Sequence, residues 1–272
     1  MDDGRLTIAR DGGVAHVALA REDRLNAMDK AMFEAIGEAF RSLGADPSVR
    51  VVLLSAGGRH FSAGLDLHYA ASQFASLDED PGRAAEARLR HIHWLQDCFT
   101  AAEQARVPVI AALHGGCIGA GVDLACACDI RIGAADAFVQ VAEVDVAIAA
   151  DLGTLQRLTR LIPEGMVREL AYSGRRMEAD EALRLGFFNR IAPDREAAIA
   201  AGLALAHAIA AKSPLAIAGI KASLNYSRGR TVEDGLRHVA LWNAGALATG
   251  DLDAAIRARL DKNAPDYGDL SG

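Results

Sequence analysis

The chain has 272 residues, 51% of them hydrophobic and 24% charged, with a formal charge of -7 and an aromatic share of 5%. That length can bury a large core, as one extended domain or one domain with a helical appendage. The acidic, aromatic-poor composition lacks the basic footprint and stacking residues of nucleic-acid binding, and apolar runs break before the ~18 residues of a membrane span, so neither partner is expected.

The start, "MDDGRLTIAR", lacks the basic-plus-apolar pattern of a leader, and the end, "DYGDLSG", lacks a Ser-Lys-Leu signal. A cytoplasmic protein is the expectation. "RLTIARDGGVAHVALAR" predicts two strands joined at Asp11-Gly12-Gly13, residues that tolerate positive φ. Asp29 is an N-cap candidate for a helix over 30–44, where Met32, Phe33, Ile36 and Phe40 recur at helical spacing before Gly44. Residues 49–56 predict a buried strand and 57–67 a glycine-rich loop. The polar stretch 70–84, with Pro81 and Gly82, predicts a mobile, lid-like segment before a helix over 85–105.

A second buried strand is predicted at 107–115, followed by a glycine-rich turn, a short helix and a third strand within 116–134. The strand-turn-helix order occurs twice, which implies a parallel sheet with both faces covered. Pro163 suits the first turn of a helix over 164–172, and 178–185 suits another before Gly186. Helices over 195–211, 214–227, 231–248 and 251–262 complete the chain, giving a β/α core over 1–193 and a helical region over 194–272.

Cys98, Cys117, Cys126 and Cys128 lie among apolar residues and suit reduced core thiols, with spacing unlike the usual zinc pairs. His91 and His93 are two apart and so share no helix face, which disfavours a metal site there. Ser62 has no evident His partner pattern for a nucleophile. Lys221 and Lys262 suit solvated surface better than a phosphate contact. No metal ligand set is expected.

Within "QVAEVDVAIAADLGT" (140–154), Glu143, Asp145 and Asp151 interrupt an apolar run. Ionised carboxylates are rarely buried unpaired, so the stretch is either misread surface or a site of perturbed acids. Two turns, "SAGLD" (62–66) and "GAGVD" (119–123), each follow a strand and leave backbone N–H groups uncommitted where a helix begins. Such groups can hold an anion or stabilise one that forms during reaction. Close packing alone also explains the glycines, and neither turn matches a P-loop or a dinucleotide fingerprint.

"HFSAGLDL" (60–67), "PVIAALHGGCIGAGVDLACACDIRI" (108–132) and "QVAEVDVAIAADLGTLQRL" (140–158) resemble the enoyl-CoA hydratase/isomerase, or crotonase, superfamily. The resemblance runs from about Leu6 to Lys262. It implies an α/β fold, a crotonase (ClpP-like) spiral of ββα units with a helical C-terminal region, and an acyl-CoA thioester substrate with no separate cofactor. It also implies an oxyanion hole from the N–H groups of Leu65 and Ala120, with Ala63, Gly64, Leu65, Asp66, Leu67, Ala120 and Gly121 against the substrate. Arg24, in "REDRLNAMD", matches a segment near the CoA moiety. Family members commonly form trimers or dimers of trimers. Where the family often has three glycines this chain has Gly119-Ala120-Gly121, so the hole requires a negative φ at Ala120.

Hydratases of the family carry two acids, at the positions of Asp123 and Glu143. The added Asp151 makes the chain resemble the branch of dienoyl-CoA isomerases, which convert 3,5-dienoyl-CoA to 2,4-dienoyl-CoA. That implies Glu143 as base at C2, Asp151 as acid at C6 and Asp123 tuning or orienting them, with at least one carboxyl pKa raised by burial among acids. Asp123 could instead cap or pair within its helix, and Asp151 could cap "LGTLQRL". Asp145 suits a structural partner of an Arg or a backbone N–H. The alternatives are a hydratase using Asp123 and Glu143 around water, and a silent acyl-CoA-binding or RNA-binding relative.

Overall fold

The computed structural model describes residues 4–75, 80–247 and 249–271. Its sheet starts with β1 (Leu6–Asp11) and β2 (Val14–Leu19), antiparallel, with Asp11 opposite Val14. Gly12 and Gly13 between them have φ of +50° and +82°, the turn geometry that follows the twist of the strands. Helix α1 (Lys30–Ala45) is capped by Asp29, whose carboxylate accepts the Met32 N–H at 2.9 Å, and its predicted apolar stripe is buried.

Strand β3 (Val51–Ala56) is buried throughout. It is followed by α2 (Leu67–Ala75) and α3 (Pro81–Gln104). The segment expected to be a lid over 70–84 is thus helical at both ends; its centre, 76–79, lies outside the described residues. Asp80 caps α3 by accepting the Arg83 N–H at 2.8 Å, with Pro81 pre-set for the first helical turn.

The second layered unit comprises β4 (Val109–Leu113), β5 (Gly116–Ile118), α4 (Ala120–Ala127), β6 (Ile130–Ala134) and β7 (Phe138–Gln140). Then come α5 (Thr154–Arg157), α6 (Glu164–Ser173), β8 (Arg176–Glu178), α7 (Ala179–Leu185) and β9 (Arg190–Ala192). Four helices follow: α8 (Arg195–Ala210), α9 (Pro214–Ser227), α10 (Val232–Ala246) and α11 (Gly250–Leu260). The predicted helix over 178–185 begins one residue later, because 176–178 pairs with β7 as a strand.

The main sheet has the order β1-β2-β3-β4-β6-β9, parallel from β2 onward, and β5-β7-β8 form a smaller sheet. Covering on both faces explains why β3 reads as continuous apolar sequence. Val52 and Leu54 join the core beneath α1 and α3, whereas Val51 and Leu53 join the core beneath α8. Gly202 lets α8 approach closely, since a Cβ there would lie 2.6 Å from Leu53 Cδ1. Each fully buried Leu or Phe contributes roughly 1.5–3 kcal/mol of burial.

Lys221 corrects the expectation of solvated surface. It is 7% exposed, and its Nζ donates to Asp129 Oδ2 at 2.8 Å and to the carbonyls of Val107 and Ala102 at 2.9 and 3.2 Å. This pair ties α9 to the end of α3 and the start of β4. Burial is possible because all three ammonium protons have acceptors. The four cysteines are free and buried.

Candidate active site

The two glycine turns meet. Ser62 bridges to Cys117: the Ser62 N–H donates to the Gly116 carbonyl and the Ile118 N–H to the Ser62 carbonyl, each at 3.0 Å. Gly64 has φ +89°, and a Cβ there would lie 2.8 Å from the Ile118 carbonyl oxygen. Gly121 packs as closely, with a Cβ position 3.0 Å from Ser62 Cβ. Glycine at these positions is a condition for the contact between turns.

Leu65 lies in a parallel bridge with Met28, but the bonds of that bridge use the Met28 N–H to the Gly64 carbonyl (2.7 Å) and the Asp66 N–H to the Met28 carbonyl (3.0 Å). The Leu65 N–H therefore points away from Met28 and has no backbone acceptor among the described residues. Ala120 is the first residue of α4, so its N–H has no partner within the helix. Gly119 before it carries the positive φ, +50°, and Ala120 has the negative φ that the expected hole requires.

Glu143 stands beside this junction. A side chain at Gly119 would begin 3.6 Å from Glu143 Oε1 and 3.9 Å from Gly64 Cα. Glu143 opens a 3₁₀ turn (Glu143–Val146), and its Oε2 is buried without a hydrogen-bond partner among the described residues. Burial raises its carboxyl above the ordinary value, and the charge of Asp151 adds to this.

Asp123, in the first turn of α4, is 1% exposed. Burial raises its carboxyl to about 7 against the opposing hydrogen bonds of Thr154, and Glu143 and Asp151 push in the same direction. Its Oδ1 accepts the Thr154 N–H at 2.6 Å, so it caps α5 across space rather than its own helix. Asp151 is exposed on the turn before α5, and partial desolvation raises its carboxyl. The N-cap position of α5 belongs to Gly153, at φ +126°, and not to Asp151. The three carboxyls are thus raised together, Asp123 to about 7, and the charges of Glu143 and Asp151 each oppose ionisation of Asp123, an arrangement in which a proton can be shared among acids.

The remaining predicted residues are placed as follows. The Ala63 N–H donates to the Leu25 carbonyl at 2.9 Å. Burial alone would raise the Asp66 carboxyl, but Arg21 at 2.7 Å and the N–H groups of His68 and Tyr69 hold it below the ordinary value. Its carboxylate is thus occupied in capping α2, and Leu67 is exposed at that helix's start. Arg24 is exposed in a 3₁₀ turn, 3.9 Å from Asp23. Asp145 is exposed and has no Arg or N–H bond to its side chain among the described residues, which corrects the expectation of a structural partner. Thr154, Gln96 and Arg157 escaped the sequence reading, although Thr154 closes the quoted acidic stretch. Among the described residues, no group of three or more His, Cys, Asp or Glu could hold a metal ion, and no single helix is long and apolar enough to cross a membrane.

The profile of the family described as enoyl-CoA hydratase/isomerase matches residues 9–267. The mitochondrial Delta(3,5)-Delta(2,4)-dienoyl-CoA isomerase of Homo sapiens is 45% identical over 250 residues, covering 91% of this chain and 76% of that protein. The peroxisomal Delta(3,5)-Delta(2,4)-dienoyl-CoA isomerase of Arabidopsis thaliana is 42% identical over 262 residues, 96% of this chain and 94% of that protein. The crystal structure of an enoyl-CoA hydratase from Bacillus anthracis superposes with a TM-score of 0.88 at 28% identity, covering 97% and 99% of the two chains. The mitochondrial and peroxisomal names overturn the expectation of a cytoplasmic protein. With its profile matched over nearly its whole length and its glycine turns meeting beside Glu143, the chain belongs to the enoyl-CoA hydratase/isomerase family.

Proposed function

We propose that the chain is a dienoyl-CoA isomerase of fatty-acid β-oxidation, converting 3,5-dienoyl-CoA to 2,4-dienoyl-CoA. The observation that carries this reading is Asp151, a third carboxyl with a raised pKa within electrostatic range of Glu143 and Asp123. A hydration site built on Asp123 and Glu143 has no need of it. The two relatives named as dienoyl-CoA isomerases support the same substrate.

The thioester oxygen accepts the N–H groups of Leu65 and Ala120, donors fixed before substrate arrives and so costing little reorganisation as charge develops. The ionised Glu143 takes a C2 proton, and the electron pair of that C–H bond spreads over the thioester and both double bonds as a conjugated enolate. Protonated Asp151 donates at C6, the double bonds settle at C2–C3 and C4–C5, and exchange with water resets both acids. Asp123 holds the Asp151 turn through Thr154 and keeps the local charge low when protonated. The proton count and oxidation state balance without a metal or redox cofactor, and coenzyme A enters as part of the substrate.

Ala63, Gly64 and Gly121 line the thioester end, with Asp66 and Leu67 at the start of α2. Arg24 is exposed and free to turn toward a CoA phosphate. The region 194–272 serves assembly into trimers or dimers of trimers, supported by exposed apolar side chains such as Leu224, Leu241 and Leu260 on α9, α10 and α11. Turnover of 3,5-dienoyl-CoA, followed by the absorbance of the conjugated product, against hydration of 2-enoyl-CoA tests the reading. Preference for hydration favours the hydratase alternative, and CoA binding without turnover of either favours a silent acyl-CoA binder.

A further inference from the structure

The carboxylate of Asp151 is held by no other residue's donor or cation among the described residues, and yet a proton must be delivered to one carbon of the acyl chain. Its position therefore depends on the backbone that carries it. That backbone is anchored at three successive points. The Asp151 carbonyl accepts the Gln96 side-chain amide at 2.6 Å, the Leu152 carbonyl accepts Arg157 Nη1 at 3.2 Å, and the Thr154 N–H donates to Asp123 at 2.6 Å. Between them Gly153 takes φ +126°, closed to other residues both by that angle and by the Arg157 guanidinium lying where a Cβ would stand.

Two of these anchors act on residues after Asp151. Only Gln96 acts on the peptide of Asp151 itself. Gln96, Thr100 and Glu103 recur at intervals of four and three, so they share one face of α3. Thr100 and Glu103 hold Arg157, at 3.0 Å and at 2.8 to 3.0 Å, so the same helix face grips the turn at both ends. Arg228 pairs with the other oxygen of Glu103, which steadies that residue. Ala150 and Leu152, on either side of Asp151, are buried, so the side chains flanking the Gln96-bonded peptide are packed as well. Gln96 is also uncharged: it fixes the carbonyl without a cation that would favour the ionised form of the neighbouring acid.

We infer that Gln96 is a positioning residue for the isomerisation, setting through the Asp151 carbonyl the direction in which the Asp151 side chain presents its proton to C6. It touches neither C2 nor the thioester. The inference rests on the isomerase reading and adds a division of labour: α4 and the first turn serve proton removal, whereas α3 serves proton return.

Gln96→Met removes the donor at nearly constant length. In deuterium oxide with 3,5-dienoyl-CoA, two rates are followed on the same sample: deuterium entering C2 of unreacted substrate, and formation of 2,4-dienoyl-CoA. The expected result is a ~10-fold fall in kcat for isomerisation, with KM within about twofold and a rise in the ratio of C2 exchange to isomerisation of the same order. Both rates come from the folded molecules alone, so the ratio is insensitive to any loss of folded protein. Isomerisation at the unaltered rate, or a fall in both rates with an unchanged ratio, overturns the inference. If the unaltered protein forms no 2,4-dienoyl-CoA, the isomerase reading falls and this inference with it; if it isomerises and Gln96→Met matches it, only the inference falls.

Discussion

The Asp123 carboxylate and the Thr154 N–H, 31 positions apart in sequence and 2.6 Å apart in space, join the helix that begins with Ala120 to the turn that carries Asp151. One bond thereby links the helix start proposed to donate to the thioester oxygen with the proposed acid for the far end of the conjugated system. Its acceptor is itself a buried acid with a carboxyl near pKa 7.

Asp123→Asn keeps an oxygen for Thr154 while removing the ionisation. In the native chain the folded state binds this proton more tightly than the unfolded state, whose carboxyl titrates near 3.8. The stabilisation from protonation is therefore complete below that value and is lost as pH rises through about 7. The Asn variant is expected to flatten the fall in stability between pH 5 and 8 and to gain about 1–4 kcal/mol at pH 8, measured by urea unfolding. Asp123→Ala frees the Thr154 N–H and is expected to lose more activity than Asp123→Asn.

Ala120→Pro tests the proposed oxyanion donor without changing a side-chain acid. Proline is tolerated at the first position of a helix, where φ is already negative, but it has no N–H. A cooperative thermal transition together with a fall in kcat of about a hundredfold or more is expected. Retained turnover would remove Ala120 from the site.

Lys221→Met leaves the half-buried Asp129 beside β4 without its cation. Removing the buried end of such a pair costs about 1–3 kcal/mol, read as a lower midpoint in denaturant, because Asp129 keeps solvent access and the Val109 N–H. The Lys221→Met, Asp129→Leu double variant should recover part of that loss. Isomerisation by the fraction that remains folded should be unaffected, since Lys221 serves the fold.

Much of this architecture is legible along the chain. Local signals are strong where one residue acts on its neighbours: Asp29 capping α1, Gly12-Gly13 turning the first hairpin, and β3 buried on both faces. The acids at 123, 143 and 151 stand out because charge interrupts apolar sequence. What the sequence hides is pairing between distant segments. Lys221 looks like surface until Asp129 and two carbonyls are brought to it, and Gln96 has no periodic signature marking its hold on Asp151. Asp123 reads as tuning or orienting the other acids, with a cap of its own helix as the alternative, and its bond to Thr154 is hidden because that partner belongs to another element. Residues 70–84 read as a lid because polar composition and Pro81 resemble a loop, whereas Pro81 begins a helix.

The carboxyls of Glu143 and Asp151 are proposed to serve opposite ends of one conjugated enolate. Conversion of 3,5-dienoyl-CoA in deuterium oxide, with product analysed by NMR, tests this most directly for the native chain and for Asp151→Asn. Deuterium is expected at C6 of the native product, and for Asp151→Asn a loss of C6 labelling with exchange at C2 retained. Full C6 labelling by Asp151→Asn would contradict this assignment.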